Sequence, residues 1–285
     1  MNAQAIGRNT NWLPHAVLWF GVFITAFPLY VTFIASTLTP QDIAQVPMQM
    51  TPGSQFWANY SAAWSKGSAG TYLSPPASTL LFNSLVVAIV VTFGKISVSL
   101  ISAYAVVFFR FPGRMIFFWM IFITLMLPVE VRILPTYSVV TDLKLINSYA
   151  GLTLPLIASA TATLLFRQFF LTIPDELVEA AKIDGAGPMR FFKDIVIPLS
   201  KTNIAALFVI LFIYGWNQYL WPLLITTSNS LDVVVVAIKK MIGGGAEPTD
   251  WNIVMSTTIL ALLPPVLVII LMQKSFVKGL TDTEK

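Results

Sequence analysis

Long apolar runs alternate with short polar segments over most of the chain. About 20 apolar residues are needed to cross the hydrocarbon core of a bilayer, and six runs come close to this length. They cover residues 13–37, 78–108, 115–137, 149–169, 202–225 and 252–273. The pattern predicts an all-α polytopic membrane protein. It would have one transmembrane domain, 13–273, between a short N-terminus, 1–12, and a C-terminal tail, 274–285.

The first apolar run has some features of a secretory signal peptide. Its apolar part is longer than the usual central region of such peptides, and Arg8 is the only charge before it. No clear small-residue cleavage site follows it. We therefore expect this run to be retained as a membrane anchor.

The polar segment 172–201 has the sequence features of two short amphipathic helices. Pro174 suits a first helical position, and Glu176 and Glu179 place negative charge near the positive end of a helix dipole. A hinge is predicted at 184–187, and Pro188 would start the second helix. Periodicity alone leaves open whether the segment lies on the membrane surface or docks a partner.

The apolar residues of these two helices are predicted to share one side. They are Leu177, Val178, Ala181 and Ile183 in the first helix, and Met189, Phe191, Phe192, Ile195 and Val196 in the second. Because Ala180 and Ala181 are small and adjacent, another surface is expected to approach closely there.

The distribution of basic residues predicts the orientation, because Lys and Arg near span ends favour the cytoplasmic side. With the N-terminus inside, eleven basic residues lie on the cytoplasmic side and five on the opposite side. Both termini and the segment 172–201 are therefore predicted to be cytoplasmic. Two long loops, about 39–77 and 226–251, would lie outside, and Gly243, Gly244 and Gly245 would give the second a flexible tip.

Composition excludes several classes of function. The chain is 56% hydrophobic and 11% charged, with no cysteine and one histidine, so thiolate metal sites and Cys or His nucleophiles are not expected. No basic tract indicates nucleic acid. The only Gly-Lys pair, Gly94-Lys95, lacks the other residues of a phosphate-binding loop. No cofactor is expected in this chain, and any ATP and Mg²⁺ would bind to a partner.

Charges inside spans are costly and therefore indicate functional sites. Lys95 lies well inside the second span, where it could line a polar path or form a structural pair. Glu130 and Arg132 lie near the outer end of the third span and do not share a helix face. Arg132 could attract an anionic solute while Glu130 holds a neighbouring helix; alternatively, the two mark the membrane boundary.

Two amides and three aromatic residues lie together in the fifth span, at 216–222. Amides in an apolar helix must find partners in the bundle or in a water-filled path. Helical spacing directs Asn217 and Leu220 one way and Gln218 and Trp221 another. Trp216, Asn217 and Gln218 are therefore candidate path residues, although an outer aromatic belt would also explain Tyr219 and Trp221.

The segment 172–201 resembles the EAA loop of ATP-binding-cassette (ABC) importer permeases. The resemblance rests on Glu179-Ala180-Ala181, then Gly185, and later Ile195 and Pro198. It implies a coupling helix that sits in a cleft of a cytoplasmic ATPase subunit. Glu179, Asp184 and Arg190 would anchor the contact and Gly185 would permit the turn. Ile197 replaces the usual Leu before the proline, which is a volume-conserving change.

Further motifs extend the resemblance to carbohydrate-type importer permeases over nearly the whole chain. They are Leu145-Ile146-Asn147 before Gly151, 166–170, Trp216-Asn217 with Trp221-Pro222, and 279–281. The segments 127–133 and 278–285 are more similar to the branch that imports sn-glycerol-3-phosphate or its diesters than to the maltose-type branch.

The resemblance implies a complex in the bacterial inner membrane. This chain would form half of the path, next to a second homologous permease, two ATPase subunits, membrane lipid and a periplasmic solute-binding protein that the outer loop contacts. A sugar importer permease is the first alternative. A stand-alone secondary transporter is less favoured because no clear internal repeat is visible. A membrane enzyme is also less favoured because no span pairs an acid with a base.

Overall fold

The computed structural model describes residues 12–68, 73–127, 129–242 and 249–281. For residues 124–126, 129–130 and 275–281 it describes the backbone alone. The described part of the chain is mostly helical and contains no strand. The predicted all-α class is therefore confirmed.

Fifteen α-helices follow one another in the described residues, and their lengths fall into two groups. The longer ones are α1 (Trp12–Ser36), α3 (Phe56–Ser65), α4 (Ala77–Phe108), α5 (Arg114–Met126), α6 (Val129–Asp142), α8 (Ala160–Phe170), α12 (Lys201–Trp216) and α15 (Trp251–Thr281). The shorter ones are α2 (Pro40–Ile43), α7 (Tyr149–Thr153), α9 (Asp175–Ile183), α10 (Pro188–Phe191), α11 (Ile197–Leu199), α13 (Leu220–Ile225) and α14 (Val234–Ile242).

Three helices are long and apolar enough to cross a membrane without interruption: α1, α4 and the part of α15 from Trp251 to Lys274. α4 has 32 residues, so it is about 48 Å long and exceeds the hydrocarbon core by several turns. It packs against α8, α12, α14 and α7. α4 is therefore the central helix of the bundle.

Two further candidate spans are bent rather than straight. The first consists of Tyr149–Leu156 and Ala160–Phe170, which meet at 47°, and its second half is capped by the side chain of Ser159. The second consists of Pro188–Leu199 and α12, which meet at 71°. Ser200 lies at this second bend, fully buried, and its hydroxyl donates to the Val196 carbonyl at 2.6 Å.

The predicted third and fifth spans differ from the structure. Residues 115–137 form two helices, because α5 ends at Met126 and α6 begins at Val129. Residues 202–225 also form two, because α12 ends at Trp216 and α13 begins at Leu220. The described residues thus contain three straight and up to two bent candidate spans, and the number of six spans stays a prediction.

Buried apolar residues form separate clusters along the bundle. One joins α4, α8 and α12 to the segment 173–196 and contains Phe166, Phe170, Phe191 and Val196. Two others lie around α4, α12, α13, α14 and α15. The polar segment 172–201 is therefore packed onto the same core as the spans rather than attached by a loose linker.

The first long loop is fixed to the bundle by an asparagine. Asn59 on α3 donates to the carbonyls of Ser36 and Leu38 at 2.9 and 2.8 Å, and it accepts a hydrogen bond from Asn252 on α15. Trp57 is 80% exposed and Trp64 51% exposed. The loop is thus more than a passive connector, because it ties the C-terminal end of α1 to the N-terminal end of α15.

Candidate functional site

The segment 172–201 forms two helical stretches, α9 and Pro188–Leu199, as its sequence predicts. A left-handed turn at Gly185 joins them. α9 ends in a Schellman motif, in which the N–H of Gly185 donates to the Lys182 carbonyl and that of Ala186 to the Ala181 carbonyl. Gly185 has φ +70°, a conformation that costs other residues about 1–2 kcal/mol. A glycine at this position therefore sets the angle between α9 and the helices that follow.

One side of these helices is held by the bundle. Ala181, Phe191 and Val196 are at most 6% exposed and pack in the cluster of Phe166 and Phe170. The hydroxyl of Tyr104 near the C-terminal end of α4 donates to the Pro188 carbonyl at 2.7 Å. Ile195 packs partly against the same cluster. The two helices should therefore move together with α4, α8 and α12.

The other side is exposed, and we call it the coupling surface. It consists of Glu179, Ala180, Ile183, Asp184, Met189 and Arg190. Ile183 is 85% exposed and Met189 is 74% exposed. Arg190 makes an exposed ion pair with Asp194 at 3.4 Å, and Pro198 is exposed nearby. Large apolar groups next to charges on a surface are typical of a protein contact.

The structure corrects the predicted division of this segment in three places. Ala181 faces the protein's own core, so it does not join Ala180 in a contact surface. Ile183 and Met189, which were predicted to share one side with Ala181 and Phe191, are exposed. The reason is helical geometry: Ile183 follows the buried Ala181 by two positions and Met189 precedes the buried Phe191 by two, so each points about 200° away from its buried neighbour.

Lys95 lies near the middle of α4 and is 7% exposed. Its ammonium nitrogen is 3.8 Å from the centre of the Tyr214 ring on α12. The ion pairs identified within the described side chains are Arg190–Asp194 and Lys240–Asp232, neither of which includes Lys95. Sequence reasoning did not identify Tyr214 as the partner of Lys95, because Tyr214 carries neither a charge nor an amide.

Arg132 is exposed on α6. The side chain of Glu130 lies outside the described side chains, and Gly243, Gly244 and Gly245 lie outside the described residues. Their predicted roles stay predictions.

The residues 216–222 lie at a helix break rather than in one continuous helix. Trp216 is 2% exposed and packs against Phe212, and Trp221 is 4% exposed and donates to the Gly151 carbonyl at 3.0 Å. Asn217 is exposed, and Gln218 donates to the Tyr214 carbonyl at 3.1 Å. Because the indole of Trp221 is buried, the alternative of an outer aromatic belt is wrong for this residue.

A buried ion pair between Asp232 and Lys240 was missed by sequence reasoning. Asp232 is fully buried, and the Lys240 ammonium is 2.8 and 2.9 Å from its two carboxylate oxygens. The Thr226 hydroxyl also donates to Asp232, and Asn83 donates to its backbone carbonyl. The lone acid before a run of valines was the available signal, but a spacing of eight residues does not identify its partner.

Comparison with known proteins places this geometry in a family context. Residues 95–282 match the family model described as "Binding-protein-dependent transport system inner membrane component". The chain is 60% identical over 273 residues to the sn-glycerol-3-phosphate transport system permease protein UgpE of Agrobacterium fabrum, covering 96% of each chain. It is 59% identical over 276 residues to the protein of the same name from Rhizobium meliloti, covering 97% of this chain and 98% of the relative.

The fold is also similar to solved structures. A crystal structure of a bacterial ABC transporter involved in the import of the acidic polysaccharide alginate matches with a TM-score of 0.78 at 20% identity, covering 93% of this chain and 95% of that one. A complex of an alginate ABC transporter with a pentasaccharide-bound periplasmic protein matches with a TM-score of 0.59 at 15% identity, covering 92% and 93%. At these identities the likeness concerns the fold alone.

Proposed function

The chain belongs to the family of binding-protein-dependent transport system inner membrane components, and from this premise we propose that it is the permease subunit of an ABC importer of sn-glycerol-3-phosphate. The observation that carries the proposal is about 60% identity over nearly the full length to permeases of that name. As a permease subunit it is a transport component rather than an enzyme. Its place is the inner membrane, which its apolar helices cross several times.

The coupling surface supports an ATP-driven mechanism. Its exposed Ile183 and Met189 lie among Glu179, Asp184 and Arg190, an arrangement suited to a cleft with apolar and charged groups of its own. The buried side of the same helices is fixed to α4, α8 and α12. Closure of an ATPase dimer would therefore displace these spans and switch the path between its inward-open and outward-open states.

The partners follow from this mechanism. A second, homologous permease would complete the path, two ATPase subunits would bind ATP and Mg²⁺ below it, and a periplasmic binding protein would deliver the solute from outside. Both termini would be cytoplasmic, because the basic residues concentrate on the side that carries the coupling surface. Residues 243–245 would belong to the outer loop that meets the binding protein.

Reconstitution of the full complex in proteoliposomes tests the proposal. ATP and Mg²⁺ are supplied on the side of the ATPase subunits, and the binding protein on the opposite side. Radiolabelled sn-glycerol-3-phosphate should then accumulate on the side of the ATPase subunits. Omitting either ATP or the binding protein should abolish the accumulation. Accumulation of a neutral oligosaccharide in its place would assign the chain to a sugar importer, and accumulation without any ATPase would reject the ABC mechanism.

Gly185→Val should weaken association with the ATPase while the subunit still reaches the membrane. Valine is disfavoured at φ +70° by about 1–2 kcal/mol, so the turn must open and the coupling surface loses its shape. A loss of this size corresponds to about 5- to 30-fold weaker association. The measurement is co-purification of a tagged ATPase subunit, normalised to the amount of permease in the membrane.

Two matched variants control for this change. Gly185→Asn should retain most of the association, because asparagine tolerates the left-handed region. Gly187→Ala should be neutral, since no heavy atom lies within 4 Å of the added methyl group and its φ is −67°. Normal co-purification of the Gly185→Val protein would contradict the assigned role of this turn.

A further inference from the structure

A buried cation near the middle of a central span needs a physical reason. A lysine at the centre of a transmembrane helix costs about 2.5–3.5 kcal/mol on insertion scales, and Lys95 lies in this position in α4. Near a helix end its long side chain could reach water, but the structure instead directs the ammonium toward α12. Because Lys95 is present in spite of this insertion cost, we expect it to interact with a ligand or a fixed counter-charge.

The described side chains supply no fixed counter-charge to Lys95. Its ammonium group is in none of the ion pairs identified there, and the face of Tyr214 at 3.8 Å is the stabilising contact found. A cation–π contact offsets part of the desolvation of the ammonium and leaves its charge unneutralised. The ammonium group of Lys95 therefore creates a positive potential inside the membrane domain.

The helix that carries Tyr214 ends in polar groups, and α8 supplies a second source of positive potential. Gln218 follows Tyr214 by four residues and binds its carbonyl, and Asn217 is exposed at the end of α12. One turn along α4 from Lys95, Ser99 donates to the carbonyl of Ser159, which caps the N-terminus of α8. The positive end of the α8 dipole thus meets α4 close to Lys95.

We propose that Lys95 binds the phosphate group of the solute as it crosses the membrane, and that Tyr214 holds the ammonium group when the path is empty. This inference rests on the proposed function, because it requires an anionic phosphate ester as the solute. Gln218 and Asn217 are then the polar groups available to the hydroxyls of the glycerol part.

This assignment gives the aromatic ring a specific role. The ring keeps the ammonium in a defined position at low cost, and phosphate oxygens replace this weak contact with charge-assisted hydrogen bonds. Tyr214→Phe should retain uptake, because the ring face is preserved. Tyr214→Leu should raise the KM for uptake several-fold, because the free ammonium is no longer held where the phosphate arrives.

The decisive variant is Lys95→Cys, since the chain has no cysteine of its own. Its uptake of sn-glycerol-3-phosphate in the reconstituted complex should fall by about tenfold or more, the usual effect of losing a hydrogen bond to a charged group. Treatment with an aminoethyl thiosulfonate restores a positive charge at the same place and should restore uptake. A methyl thiosulfonate, which adds no charge, should leave uptake low.

Controls separate the charge of Lys95 from its packing and from the proposed function. Treating the wild-type complex with the same reagents shows any effect of thiols in the partner subunits. Lys239→Cys, a change at an exposed lysine, should behave as wild type. Restoration by the methyl reagent, failure of the aminoethyl reagent to restore uptake, or full uptake by untreated Lys95→Cys would each overturn the inference. If wild type transports the phosphate ester in that same experiment, the proposed function still stands.

Discussion

Lys240→Met should destabilise the protein by about 3 kcal/mol or more, because it leaves the Asp232 carboxylate buried without its lysine. Asp232 is fully buried in the structure, and the side chain of Lys240 is 26% exposed. The carboxylate keeps its hydrogen bond from Thr226, but a neutral hydroxyl compensates a buried charge only in part. We expect a clear loss of thermal stability in detergent or nanodiscs.

The pair matters because it fixes α14 to the centre of the bundle. Asn83 of α4 donates to the carbonyls of Ser230 and Asp232 at 2.9 and 3.0 Å, and its own amide oxygen accepts from Tyr149 at 2.6 Å. The hydroxyl of Ser84 accepts from the backbone N–H of Val234 at 2.8 Å. Loosening Asp232 should therefore disturb the N-terminal parts of α4 and α7 as well as α14.

Two controls give this prediction a clear outcome. Lys239→Met changes the exposed neighbour of Lys240 and should leave thermal stability unchanged. Adding Asp232→Asn to Lys240→Met removes the carboxylate charge that Lys240 no longer offsets and should recover most of the loss, so the two changes are strongly non-additive. Equal melting temperatures for Lys240→Met and Lys239→Met would show that the pair contributes nothing.

Gly151→Val should be of comparable severity, for a steric reason. A Cβ atom on Gly151 would overlap the backbone carbonyl oxygen of Leu145, and backbone cannot move aside as a flexible side chain can. Overpacking typically costs about 1–3 kcal/mol and occasionally more, and this contact belongs at the upper end. The carbonyl of Gly151 also accepts a hydrogen bond from the indole N–H of Trp221, so the substitution should also separate α7 from α13.

The expected result is a low yield of folded protein and a lower melting temperature than wild type. Trp221→Phe serves as a milder companion, because it removes the hydrogen bond to Gly151 but keeps most of the apolar ring. It should cost about 1 kcal/mol. A Gly151→Val protein that folds and melts like wild type would mean that the turn at 145–151 is free to rearrange.

The coupling helices were well predicted because their signals are local. Pro174, Pro188 and the left-handed Gly185 act on the backbone of their own turn, so neighbouring residues suffice to identify them. The sides of these helices were harder to assign. The outward positions of Ile183 and Met189 depend on how the turn at Gly185 orients both helices on the core formed by Phe166 and Phe170, which is tertiary information.

The helix breaks were missed because hydropathy measures apolar character and not continuity. Residues 202–225 are apolar throughout most of their length, yet the chain leaves the helix between Trp216 and Leu220. The pairing of Lys95 with Tyr214 and of Asp232 with Lys240 likewise depends on the packing of α12 and α14. Sequence reasoning identified Lys95 as costly, but the contact that explains its position lies 119 residues away along the chain.

The bend at Ser200 connects the short coupling helices to the much longer α12. Ser200 is buried and its hydroxyl donates to the Val196 carbonyl, so the two parts should rotate as one rigid unit. The 16 residues of α12 span about 24 Å at 1.5 Å per residue. A rotation of the coupling helices by about 10° therefore swings the far end of α12 by about 4 Å. Tyr214 lies near that far end and Lys95 lies on α4, which is held by the same helices, so the ring and the ammonium group would be displaced together.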